Sequence, residues 1–69
     1  MSSYNKRSSK KLGWMTSWFD VPFFGEDLQL AIKKFQGEYP DLRVDGMCGP
    51  STFRRLKLER DAANVGPTP

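Results

Sequence analysis

The sequence predicts an all-α fold: a small three-helix bundle with glycine-rich loops and a flexible basic N-terminal arm. Three observations carry that expectation. Leu28, Ile32, Phe35 and Tyr39 recur at spacings of four, three and four, the period of one buried helix face. Gly49 and Pro50 stand where the cap and first residue of a further helix belong, because proline has a helical φ and needs no N–H partner there. A pattern also repeats along the chain. Asp20, Gly25, Leu28 and Ile32 are echoed in order by Asp45, Gly49, Thr52 and Leu56, with one extra residue before the glycine of the first copy. Two loop-then-helix units that share a core, completed by a helix upstream, make a bundle.

Taken in order, residues 1–8 are polar, serine-rich and basic, a composition that buries too little hydrocarbon to offset the entropy of ordering. They are expected to form a disordered arm preceding a domain over residues 9–63. From Ser9 to Phe19, Leu12, Met15 and Phe19 fall on one helical face with Trp14 and Trp18 beside it. A short first helix is expected there, capped by Ser8 or Ser9, although Gly13 inside it costs about 1 kcal/mol relative to alanine. Pro22 disfavours helix at Val21, so residues 20–25 read as a connection. The second helix begins at Gly25, with Glu26 and Asp27 complementing its dipole, and Pro40 stops it by Tyr39. Its four-residue stripe is the expected core, at about 1.5–3 kcal/mol per large buried side chain.

Val44-Asp45-Gly46 and Gly49 suggest a tight turn feeding the third helix, with both glycines adopting backbone angles closed to other residues and Asp45 accepting from nearby N–H groups. That helix is expected from Pro50 to about Asp61, with Phe53, Leu56 and Ala63 inward and Arg54, Arg55, Lys57 and Arg60 outward. Residues 64–69 have the breaker-rich composition of the start of a linker.

At the central loop the chain resembles a known family, the peptidoglycan-binding domains appended to cell-wall hydrolases, including phage endolysins. The resemblance rests on Ala31-Ile32-Lys33-Lys34-Phe35-Gln36, then Leu42, then Val44-Asp45-Gly46, then Gly49-Pro50 with Thr52, then Leu56. It spans residues 25–58, and the tryptophan-rich first helix departs from the pattern by lacking the family's Leu-Gln element. The resemblance implies a small three-helix, non-catalytic module that binds peptidoglycan of the bacterial cell wall. Here that module would be the N-terminal targeting domain of a bacteriolytic enzyme whose catalytic domain lies beyond Pro69.

Composition narrows the alternatives. The chain has 69 residues, no histidine and one cysteine, Cys48, so it can form no intrachain disulfide and no catalytic imidazole or histidine-containing zinc site. A carboxylate acid needs a sheltered pocket to raise its pKa, which three short helices scarcely provide. No catalytic residue, metal or cofactor is expected. Cys48, among apolar neighbours, reads as a buried thiol. The net charge of +3 is concentrated in Lys6, Arg7, Lys10 and Lys11, which could attach the chain to anionic envelope polymers. No apolar run approaches a membrane span, and the first residues lack a signal-peptide core. A monomer made in the host cytoplasm and acting at the cell wall or periplasm is expected.

Candidate binding groups follow from their chemistry. Gln36, Tyr39 and Arg43 offer an amide, a hydroxyl and a guanidinium around one corner, suited to a polymer rich in amides and carboxylates. Asp45 could add a contact, although holding its own loop with Gly46, Gly49, Pro50 and Thr52 is the simpler role. Trp14, beside Gly13, is the aromatic expected to be exposed for stacking on a sugar face. The competing function is a small basic helical nucleic-acid-binding domain using Arg54, Arg55, Lys57 and Arg60, interrupted by Glu59 and Asp61. A virion structural adaptor is a third.

Overall fold

Gly13 decides the path of the N-terminal third. With φ at 93° it takes the left-handed conformation that ends helices, and its N–H closes the last turn onto the Ser9 carbonyl at 2.8 Å. The computed structural model describes residues 2–65, with side chains over residues 3–62. Among them are three helices and no strand: α1 (Ser2–Leu12), α2 (Glu26–Gly37) and α3 (Pro50–Val65), with a 3₁₀ turn at Thr16–Phe19.

The expected disordered arm is therefore corrected: residues 2–8 are the body of α1. The helix expected over Ser9–Phe19 is broken instead, because Gly13 is a stop and Met15 is extended (φ −129°, ψ 156°) before the 3₁₀ turn begins. Asn5, Ser8 and Leu12 lie on one face of α1, and both polar side chains are buried. That face docks by hydrogen bonds, which supply the ordering energy that its composition lacks in hydrocarbon. Lys10 and Lys11 complement the dipole in the last turn.

Helix α2 starts where expected, after Gly25, with Glu26 and Asp27 in its first turn. Its inward line is Leu28, Ile32 and Gln36, spaced by four, with Phe35 and Tyr39 half-buried along one edge. The stripe predicted from hydrocarbon spacing is thus rotated toward a polar residue at its end. Trp14, Phe19, Leu28, Ile32, Cys48 and Leu56 form the buried core. Trp14 meets Phe19 edge-on at 5.6 Å, and Phe35 meets Phe19 likewise at 6.0 Å, the geometry that ring quadrupoles favour. The 3₁₀ turn packs on α2, and Trp18 stacks on Phe53 of α3 at 6.3 Å.

Helix α3 opens at Pro50 as predicted and runs to Val65, past the expected end near Asp61 and into the first residues of the expected linker. Residues 66–69 of that linker, and the side chain of Ala63, lie outside the described residues. Both echoed glycines precede helices, as the internal repeat implied. Asp20, however, acts through a left-handed backbone at φ 61°, whereas Asp45 acts through its carboxylate.

Candidate functional site

The connection from α2 to α3 carries no regular structure, so its backbone groups need partners from elsewhere. Two buried side-chain amides supply them. Gln36 Oε1 accepts from the N–H groups of both Asp45 and Gly46 at 3.0 Å. Gln36 Nε2 lies 3.0 Å from each of Asp45 Oδ1, the Met47 carbonyl and Thr52 Oγ1, so its two hydrogens serve three acceptors. From the opposite side, Asn5 Nδ2 donates to the Gly46 carbonyl at 3.1 Å, and its Oδ1 accepts from the Cys48 N–H at 3.0 Å. Ser8 Oγ donates to the Cys48 carbonyl and accepts from the Trp14 indole at 3.0 Å. No buried side-chain nitrogen or oxygen among the described residues lacks a partner.

Asp45 closes the turn by accepting from the Met47 N–H at 2.9 Å, the structural role expected of it. Gly46 has φ at 76°, and a Cβ there would come within 3.2 Å of Lys33 Cε. Gly49 differs from the expectation. Its φ lies outside the left-handed region, and what it provides is room, since a Cβ would sit 3.0 Å from the Tyr4 hydroxyl. Cys48 is fully buried, and burial pushes its thiol up to about 12, so it stays protonated and unreactive in the fold.

Two of the predicted binding residues are corrected by this arrangement. Gln36 is 1% exposed and its amide is wholly engaged by the loop. Trp14 is also 1% exposed, because Gly13 turns the chain inward and Ser8 takes its N–H. Neither has a face to offer a polymer.

The remaining three stay near the surface. Arg43 and Asp45 line a groove of about 270 Å³ beside the start of α3, with Tyr4, Leu42, Met47 and Ser51. An adjoining groove of about 150 Å³ shares Asp41, Leu42 and Ser51 and is walled by Arg54, Arg55 and Leu58. Tyr39 is not in either lining. Its ring lies under the Arg55 guanidinium at 4.9 Å, and Arg55 is held in turn by Asp41 at 3.2 Å. Partial desolvation, then the Glu59 charge and its hydrogen bond to the phenol, then the Glu38 charge, raise the Tyr39 pKa, with Arg55 opposing them. The phenol therefore stays neutral at neutral pH.

Sequence reading missed Tyr4, Met47 and Asp41. Tyr4, Arg7, Ser8 and Lys11 do recur at helical spacing, a signal hidden by the polar composition around them. No cluster of metal-ligating side chains occurs among the described residues, and no helix there is long and apolar enough to cross a membrane. Comparison with protein-family models, with curated proteins and with solved structures finds no match.

Proposed function

We propose that this chain is a non-catalytic module that binds bacterial peptidoglycan and serves as the N-terminal targeting part of a phage endolysin or similar muralytic enzyme. One observation supports this reading above the others. Leu42, Asp45, Gly49, Pro50 and Thr52, which carry part of the family resemblance, line an open groove together with Arg43. A fixed, shallow groove with apolar patches at Leu42 and Met47 and a guanidinium at its rim suits an extended polymer of sugars and carboxylate-bearing peptides. Its task would be to hold an attached catalytic domain at an insoluble substrate, raising the local concentration there. The chain would be made in the host cytoplasm and act at the wall as a monomer.

Nucleic-acid binding is the second reading, favoured by the four exposed cations of α1. It is the weaker one, because three of the four cations of α3 are engaged within the fold: Arg55 with Asp41, Lys57 with Asp61, and Arg60 over Trp18 at 4.0 Å, leaving Arg54 exposed. Sedimentation with sacculi freed of anionic polymers tests the proposal. Retention in the pellet, weakened by Arg43→Ala, is expected. Recovery of the chain in the supernatant at low salt overturns the reading.

A further inference from the structure

A third open groove, about 390 Å³, runs between α1 and the start of α3 and is lined by Tyr4, Arg7, Ser8, Lys11, Leu12 and Pro50. Tyr4, Arg7 and Lys11 fall at intervals of three and four, so one face of α1 forms its wall. Tyr4 and Pro50 also line the groove beside Arg43, which makes the two spaces neighbours.

The charge here is uncompensated. Helix α1 contains no acidic residue, and neither Arg7 nor Lys11 takes part in an ion pair among the described residues. Lys6 and Lys10 stand exposed on the same helix. By contrast, three of the four cations of α3, Arg55, Lys57 and Arg60, have partners. A concave, cation-lined space of this kind concentrates anions.

We propose that this groove binds phosphate groups carried on an envelope glycan, Arg7 and Lys11 making charge-assisted contacts and the Tyr4 hydroxyl donating a further hydrogen bond. The proposal rests on the cell-wall reading above and adds a second, anionic subsite to it. Two features favour this ligand over other polyanions. A lipid surface would be held by an exposed apolar stripe, yet Leu12 of α1 is packed against the core and the outward face is polar. Single-stranded nucleic acid would be held by stacking platforms, yet Tyr4 is the one aromatic in the lining.

Fluorescence anisotropy of the whole chain with two labelled probes tests the proposal and tells the sources apart: poly(glycerol phosphate), and the delipidated phosphorylated core oligosaccharide of lipopolysaccharide. Binding to either supports it and identifies the source. The double variant Arg7→Ala/Lys11→Ala is expected to weaken that binding about tenfold and to flatten the logarithmic salt dependence by roughly one to two. The control Lys34→Ala/Lys57→Ala removes equal charge elsewhere and is expected to weaken it by less than about threefold. Equal losses in both variants, no binding to either probe, or tighter binding to a DNA duplex of matched charge would each overturn the proposal. Sacculi freed of anionic polymers separate the two readings: retention there without binding to the phosphorylated probes removes this subsite alone.

Discussion

Helices α1 and α2 reach the same loop with the same chemical tool, a buried side-chain amide, from opposite surroundings. Gln36 stands at the end of an apolar line with Leu28 and Ile32, so α2 is held by hydrocarbon whether or not its amide is engaged. Asn5 stands in a helix whose other fully docked group is the Ser8 hydroxyl, with Leu12 half-buried. For α1 the hydrogen bonds are the attachment. A net hydrogen bond is worth about 1 kcal/mol, less than a large buried apolar side chain, so α1 should be the more readily detached element.

Substitutions at the loop and its two clamps should break that comparison in graded steps. Gln36→Leu is expected to have the largest effect, since it strips partners from the N–H groups of Asp45 and Gly46 together, at roughly 1–3 kcal/mol for each buried group left unsatisfied. At about 4–8 °C per kcal/mol for a domain of this size, thermal unfolding should move down by well over 10 °C. Gly46→Val should follow, at about 1–3 kcal/mol, because a β-branched residue resists the left-handed φ of 76° and its Cβ crowds Lys33. Asn5→Leu is expected to be milder in the overall melt but selective. Amide exchange should quicken through α1 and at Cys48 while α2 keeps its protection.

The effect that vanishes at neutral pH concerns Cys48. Its folded pKa of about 12 lies above the ordinary thiol value, so the stability linked to it is fully present below about pH 8 and is lost as pH rises toward 12. Denaturant midpoints should be flat from pH 6 to about 8 and fall between about 9 and 11, and Cys48→Ser should lessen the fall, with Tyr39, whose pKa is also raised, contributing to what remains. Thiol labelling at pH 8 should track unfolding rather than precede it.

The difference between the two helices also marks what the sequence could disclose. Helices α2 and α3 were legible because Leu28, Ile32, Thr52 and Leu56 recur at helical spacing, and because Gly25, Gly49 and Pro50 punctuate them. Helix α1 was not, because the face that docks is Asn5 and Ser8, and polar residues in a lysine-rich stretch carry the composition of an unfolded arm. Gly13 was visible as an anomaly inside a helix, yet spacing alone does not say whether a glycine weakens a helix or ends it. Once it ends α1, Trp14 must turn inward. Gln36 is the instructive case at the site. An amide at the end of an apolar stripe has the same appearance in sequence whether it meets a ligand or its own backbone, and here four backbone and side-chain atoms of the loop, with the Thr52 hydroxyl, take all its capacity.

The loop's shape depends on being gripped from both sides, and the Cys48 N–H, which donates to Asn5 Oδ1, reports on the weaker grip. Hydrogen exchange at Cys48 should therefore be compared between the whole chain and one lacking residues 1–8. Slow exchange in the first and fast exchange in the second, with a lowered melting temperature and α2 still protected, is the predicted result. Equal exchange rates and an unchanged melt would contradict it.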